Sequence, residues 1–244
     1  MRFLLYNVRY CAGTGGRFHF PLPCSGYLRR TTQNLERITK VIGSYRPDIV
    51  GLVEVDGGSF RSEWRNQAEY VASALGHYHS YESKYEERSW ARTLPVVNKQ
   101  INAFVTSDII QDVKFLYFEH GVKRLVIQLE MAQLVVFLVH LSIKYRHRQY
   151  QLSDLYSLIK DVRKPHIVAG DLNAFWGDKE IELFLAATGL CSANTRSVPS
   201  YPSWAPRRQL DFVLHSEAIK VTGFQIPQVT YSDHLPLVCD FEIS

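Results

Sequence analysis

The chain has only four cysteines in 244 residues, Cys11, Cys24, Cys191 and Cys239, and no two of them form a Cys-x-x-Cys pair. That scatter argues against a zinc site and leads us to expect free, buried thiols. No cysteine has activating neighbours and no Gly-x-Ser-x-Gly elbow occurs, so cysteine and serine hydrolases are disfavoured. No run approaches the roughly 18 apolar residues of a membrane span. Internal repeats, low-complexity tracts, blocks of like charge and linkers are also lacking, which predicts one domain over residues 1–244. The chain opens with Met1-Arg-Phe-Leu-Leu-Tyr-Asn7, an alternating strand rather than a charged leader. The expectation is therefore no signal peptide, a cytoplasmic location and a monomer.

The remaining composition suits a folded globule with a sizeable core, at 46% hydrophobic and 21% charged residues. Lysine and arginine number 28 against 24 acidic residues, for a net charge of +4. Such a bias suits an anionic substrate and equally suits solvated lysines.

Hydrophobic periodicity predicts strands over Phe3–Val8, Ile49–Val53, His77–Ser83, Ile101–Thr106, Val113–Phe118, Arg124–Glu130, Leu134–Leu141, Ile167–Ala169, Leu210–Leu214, Ile219–Phe224 and Leu237–Ile243. Helices are expected from a Thr31 or Thr32 cap to Tyr45, from Glu63 to Leu75, from Tyr145 to Val162 and from Asp178 to Ala187. A long Gly- and Pro-rich loop joins Arg9 to Arg30, a length that suggests a functional or disordered segment. Strands that dominate, with helices in a few separate places, predict two sheets packed face to face with helices outside.

One stretch organises the chain, His166-Ile-Val-Ala-Gly-Asp-Leu-Asn-Ala-Phe175. Its first half reads as a buried strand, and Gly170 is expected to turn the backbone so that Asp171 and Asn173 leave the strand end on one side. The two could cap a turn or form a site. Five other segments also place polar residues beside an apolar strand: Asn7, Glu54, His140, Asp211, and Asp233 with His234. Burying so many without mutual partners would cost about 1–3 kcal/mol each, which argues that they converge.

Carboxylate and amide oxygens without thiolate favour magnesium, with manganese as the alternative. Two histidines supply hydrogen bonds or protons, and Asp211 suits the task of holding one imidazole in its tautomer. An ion, a base and several donors fit cleavage of a phosphate ester, which depends on positioning and charge neutralisation.

In order, Tyr6-Asn7-Val8, Val53-Glu-Val-Asp56, Val139-His-Leu-Ser142, Gly170-Asp-Leu-Asn173, Leu210-Asp-Phe212 and Ser232-Asp-His234 resemble the endonuclease/exonuclease/phosphatase superfamily of magnesium-dependent phosphoesterases. The resemblance spans nearly the whole chain and implies a four-layered α/β/β/α sandwich of the DNase I-like kind, of α+β class, with the site at one edge of the paired sheets. It also implies Glu54 as main metal ligand, assisted by Asn7 and Asp233. Asp171 would orient or deprotonate the attacking water, Asn173, His140 and His234 would contact phosphoryl oxygens, and Asp211 would support His234. Two places depart from the pattern: Arg9 stands where some DNA-repair members carry an acid, and Asn102–Ser107 matches a Gly-Asn-Ala-Ile-Leu-Ser-Arg segment only in part. Glu54–Arg61 and Tyr201–Pro206 look like a bacterial subgroup of metal-dependent hydrolases, some similar to sphingomyelinases.

For the substrate, nucleic acid is the first expectation, with a lipid head group at a lipid surface or a small phosphoester as the alternative. A non-catalytic phosphate-binding module is a third reading. Trp176 and Trp204 lie near motif residues, where they could stack a base, meet lipid or simply pack in the core. Of Lys123 and Arg124, Arg124 is the preferred phosphate contact because it begins a strand.

Overall fold

The computed structural model describes residues 1–14, 29–85, 93–94, 96–177 and 179–243. Cys24, most of the Arg9–Arg30 loop and Asp178 lie outside the described residues. Among the described residues, twelve strands and four α-helices follow the chain as β1 (Arg2–Asn7), α1 (Thr32–Ser44), β2 (Ile49–Asp56), α2 (Gln67–Leu75), β3 (Tyr78–Ser83), β4 (Gln100–Thr106), β5 (Asp112–Tyr117), β6 (Leu125–Glu130), β7 (Val135–His140), α3 (Tyr145–Ile159), β8 (His166–Asp171), α4 (Lys179–Thr188), β9 (Cys191–Ser192), β10 (Asp211–His215), β11 (Ile219–Gln225) and β12 (Leu237–Ile243).

They form two mixed six-stranded sheets, ordered β11-β12-β1-β2-β4-β3 and β5-β6-β7-β8-β10-β9. The alternation of side chains along each strand produces the layers. In β1, Phe3 and Leu5 enter the core between the sheets with Val53, Phe104, Ile127, Leu138, Ala169 and Val213. Leu4 and Tyr6 point the other way, onto Leu35, Ile38 and Ile42 of α1 and Val71 of α2. On the far side Phe137, Val139, Val168 and Phe212 receive Leu152, Leu155 and Ile159 of α3 and Phe184 of α4. Strands covered on both faces must be apolar on both, which is why β7 reads as a continuous hydrophobic run. The result is the four-layered α/β/β/α sandwich expected.

Several expectations need correction. The second helix starts at Gln67, not Glu63: Phe60–Ser62 is a short 3-10 turn, Glu63 and Trp64 take left-handed backbone, and the Asn66 side chain caps the helix by accepting from Ala68 and Glu69. Thr31 precedes α1 but does not cap it through its side chain; its Oγ1 donates to the Arg61 carbonyl. The third helix stops at Ile159, short of Val162. Among the described cysteines all three are free; Cys11 and Cys239 are buried, whereas Cys191 is exposed. No helix among the described residues is long and apolar enough to cross a membrane.

The end of β2 is held by a buried polar knot. Asp56 accepts from the amides of Gly58 and Ser59 at 3.0 and 2.7 Å, from Ser59 Oγ at 2.6 Å and from Arg61 Nε at 2.9 Å, and is ion-paired with Arg61 Nη2 at 2.7 Å. Both partners of the ion pair are fully buried. Arg61→Met leaves Asp56 charged and short of a partner, so unfolding free energy from urea titration is expected to fall by about 3–5 kcal/mol. Adding Asp56→Asn should recover part of that loss, and a single-variant loss of the size of a surface pair, under about 1 kcal/mol, would contradict the burial.

Candidate functional site

The polar strand ends meet at one edge of the sandwich, and topology brings them there. β1 and β2 are parallel neighbours in one sheet, as β7 and β8 are in the other. Their carboxyl ends bear Asn7, His140 and Asp171, with Glu54 two residues before the end of β2. β10 and β12 run antiparallel to β8 and β1, so it is their amino ends that reach the same edge. Asp171 therefore lies in register between His140 and Asp211. Asp171 is still paired within β8, so the backbone turns later than expected, at Asn173, whose φ is +52°. Gly170 has a different reason: a Cβ there would sit 1.9 Å from the Val139 carbonyl oxygen, so only glycine lets β8 approach β7 this closely.

Glu54 is not at a strand exit. β2 continues to Asp56, and Glu54 occupies a register break opposite β4 with a left-handed φ of +57°. Such a bulge re-aims one side chain out of the alternation. Asn102 holds it, its Oδ1 accepting from the Glu54 amide at 3.2 Å. Burial would raise the Glu54 carboxyl, but Lys84, Lys123 and His140 outweigh it and hold the group down at about 2.

Asp171 is the hub. Its Oδ2 accepts from Asn7 Nδ2 at 3.1 Å and lies 3.3 Å from His140 Nε2 and 3.9 Å from His234 Nε2, while Oδ1 accepts from the Asn173 amide at 3.0 Å. Burial opposes its charge, yet the two histidines keep it ionised, below the usual carboxylate range. His234 Nδ1 donates to Asp211 Oδ2 at 2.8 Å, and Ser200 Oγ donates to the same oxygen at 2.6 Å. Burial lowers the His234 imidazole, but Asp211 and Asp171 overcome it and raise the group to about 10. His140 goes the other way, pushed down to about 4 by burial and by Lys123. One histidine is thus a cation and the other neutral at pH 7. Tyr201, whose peptide bond to Pro202 is cis, packs its ring 4.9 Å from that of His234.

Three placements bear on individual expectations. Asn173 Nδ2 donates to the Leu141 carbonyl at 2.8 Å, tying the exits of β7 and β8 together. Asp233 is paired with Arg9 Nε at 3.3 Å, so the basic residue at that departure from the family pattern occupies one proposed metal ligand. Arg124 Nε donates to the Phe118 carbonyl, and it is the neighbouring Lys123 whose Nζ comes to 3.5 Å from Glu54 Oε1 and contacts His140 Nε2. A neutral His140 ring serves either Lys123 or Asp171 at Nε2, not both at once. Lys84, which sequence reasoning did not single out, is buried with Nζ 3.9 Å from Glu54 Oε1 and donating to Tyr10 Oη at 3.1 Å. Burial pushes that ammonium down to about 7 against the pull of Glu54. Trp176 and Trp204 are not core residues, being 78% and 56% exposed.

Two donor groups suit a divalent cation. Ligand atoms of Asp171, Asp211 and His234 lie within 4.8 Å of one another, but the His234 proton is already given to Asp211. Glu54, kept anionic, with Asn7 in register with Val53 on the parallel strand and its amide oxygen accepting from the Arg9 amide at 3.1 Å, is the better set, and its oxygen chemistry fits a hard ion.

No curated protein matches the sequence. Residues 4–234 match the family model described as Endonuclease/Exonuclease/phosphatase family. Among solved structures, a mannosyl-6-phosphatase from Bacteroides thetaiotaomicron superposes with a TM-score of 0.73 at 14% identity, covering 100% of both chains. The human Nocturnin catalytic domain with bound sulfate gives 0.71 at 21% identity, covering 100% of this chain and 94% of that one. An endonuclease/exonuclease/phosphatase from Beutenbergia cavernae gives 0.74 at 18%, covering 100% of this chain and 72% of that one. At these identities the likeness is one of fold.

The opposed histidines can be tested by pH. A histidine raised to about 10 binds a proton in the folded state that the unfolded chain releases near 6.5, so its contribution is full below pH 6.5 and is lost as pH rises through 10. Ring ¹⁵N shifts at pH 7.5 should show His234 doubly protonated and His140 neutral, and Asp211→Asn should move the His234 titration down into the range of an ordinary histidine. A neutral His234 at pH 7.5 in the unaltered protein would overturn the assignment.

Proposed function

The chain belongs to the endonuclease/exonuclease/phosphatase family, and on that premise we propose that it is a metal-dependent phosphodiester hydrolase with nucleic acid as its first substrate class. The observation that carries the reading is an ionised Asp171 beside an imidazolium His234 that Asp211 holds, with His140 bridging from Asp171 at 3.3 Å to the anionic Glu54 at 3.8 Å.

Asp171 accepts a hydrogen bond from the attacking water and aims it. Its low basicity makes positioning, rather than full deprotonation, its main contribution. His234 offers its Nε2 proton to a phosphoryl oxygen, while Asp211 fixes the ring through Nδ1 and stabilises its charge. His140 and Lys123 lie where a second phosphoryl oxygen is met from the β7 side. Asn173 acts chiefly by fixing the β7 and β8 exits, with one amide hydrogen left for substrate. Water attacks in line, opposite the leaving oxygen. Glu54 and Asn7 are the residues that would hold magnesium or manganese, which when bound supplies neutralisation of the charge growing on the phosphoryl oxygens.

Exposed Trp176 and Trp204 near the motif residues, together with Lys84 and Lys123, support nucleic acid, since bases stack on rim aromatics while cations meet phosphate. The sphingomyelinase-like alternative loses one of its motives, because Asp56 and Arg61 within Glu54–Arg61 are fully buried in the knot that ends β2. Its remaining motive is the Tyr201–Pro206 loop with exposed Trp204.

Turnover of bis(p-nitrophenyl) phosphate and nicking of single-stranded DNA are expected with magnesium or manganese and are abolished by EDTA. Asp171→Ala and His234→Ala should each lower kcat by about 10²–10⁴-fold. Equal turnover by both variants would sink the mechanism, whereas hydrolysis of sphingomyelin vesicles in the absence of DNA cleavage would replace the substrate class. No turnover of any phosphoester would leave the non-catalytic phosphate-binding module.

A further inference from the structure

A cavity lies next to Glu54, two of its lining residues, Lys84 and Lys123, being paired with that carboxylate. It has a volume of about 300 Å³ and is lined by Lys84, Lys123, Lys144 and His147 with Ser142, Tyr85 and Gln100, under an apolar lip of Val122 and Ile143. That size lies at the lower end of small-ligand sites, roughly 300–1,000 Å³. Among the described residues, no aspartate or glutamate lines it. We propose that this pocket is an anion subsite that receives a second phosphate of the substrate, next to the phosphate being cleaved, so that the enzyme prefers compounds bearing at least two phosphate groups.

The lysines cannot be assigned wholly to neutralising Glu54. Two ammonium groups, Lys84 and Lys123, approach that single carboxylate at 3.9 and 3.5 Å, and Lys144 adds a third cation that is not ion-paired with Glu54 among the described residues. Ser142 gives a second, independent sign. Its Oγ is buried and has no hydrogen-bond partner among the described residues, although it lines the cavity. A buried hydroxyl without a partner is costly, and a phosphate oxygen accepts from it.

The walls are also built to hold their positions. Gln151 is fully buried on α3 and uses its whole amide on the pocket: Oε1 accepts from the Ser142 amide at 2.8 Å, and Nε2 donates to the carbonyls of His120 and Lys123 at 2.8 and 2.7 Å. One side chain thus clamps the turn that carries Lys123 to the strand exit that carries Ser142. Gly121 permits this packing, because a Cβ there would lie 2.3 Å from Ser142 Oγ and 2.7 Å from Gln151 Nε2. Arg148 secures the other rim, its Nη1 donating to the carbonyls of Ser142 and Ile143 at 2.9 and 2.7 Å.

The subsite rests on the phosphodiesterase reading, and the test separates the two. The full chain is assayed with magnesium on thymidine 5′-(p-nitrophenyl phosphate) and on the same compound carrying a 3′-phosphate. The expected result is a kcat/KM about tenfold or more higher for the bisphosphorylated compound, expressed mainly in KM. Lys144→Ala and Ser142→Ala should draw that ratio toward one, while Lys220→Ala on the exposed face of β11 leaves it unchanged. A single-stranded tetranucleotide in parallel distinguishes a polynucleotide's neighbouring phosphate from that of a free bisphosphorylated nucleoside. Turnover of both compounds at equal efficiency overturns the subsite and leaves the hydrolase reading standing. If neither turns over, the hydrolase reading fails, and titration of the metal-free protein with inorganic phosphate decides the subsite alone. Amide shifts at Gly121 and Ser142 and ring shifts at His147 then support it, and their absence overturns it.

Discussion

A buried carboxylate governs the architecture of this edge of the molecule. Asp171 stays ionised only because four separate segments bring it hydrogen-bond donors or positive charge: Asn7 from β1, His140 from β7, the Asn173 amide from the following turn and His234 from the loop before β12. An isolated buried carboxylate would neutralise itself instead. The requirement couples the sheets, since Asn7 belongs to one and Asp171 to the other. It also fixes register: a slip of one residue in β8 would turn Asp171 toward α3 and α4 and put Leu172 at the edge.

Around that hub, the loops are anchored by polar side chains that do not themselves face the cleft. Arg148 and Glu180 form a fully buried pair linking α3 to α4, and each partner reaches a loop: Arg148 holds the carbonyls of Ser142 and Ile143, and Glu180 Oε1 accepts from the Trp176 amide at 2.6 Å. Gln67 does the same in the first sheet, accepting from the Asp56 amide and donating to the Tyr10 carbonyl and to Thr31 Oγ1. Helices in the outer layers therefore act on the site through single buried polar residues. These contacts have low conformational freedom, which is what a site requiring aligned donors needs.

The layers and most of the polar strand ends were legible in the sequence because they follow from short-range rules. Alternation in Phe3–Tyr6 tells which side chains face the other sheet, and an apolar strand that ends in Asp171 or His140 marks an edge. What escaped is set by long-range contacts. Nothing in Val53-Glu-Val announces the bulge at Glu54, because it depends on Asn102 of the neighbouring strand. Lys84 follows an exposed edge strand and looks like a solvated lysine until Tyr10 and Glu54 close over it. The preference for Arg124 over Lys123 rested on strand position, whereas the outcome is decided by the Phe118 carbonyl, which engages the arginine. The helix expected from Glu63 failed because a knot around Asp56 consumes the preceding residues in turns.

Charge divides the cleft into two halves with different demands. On one side Asp171, His234 and Asp211 alternate acid, base and acid, so each proton has a fixed place. On the other side Lys84 and Lys123 crowd one carboxylate, and Arg9 pairs with Asp233. Where an acid beside Asn7 would add a further oxygen ligand for metal, this chain has a guanidinium that draws Asp233 away from that task. Fewer carboxylates remain for cations and more cations remain for anions. On the proposed reading, a cleft so arranged would favour one ion at Glu54 over two, and would draw part of its phosphate affinity from the protein's own ammonium groups rather than from metal.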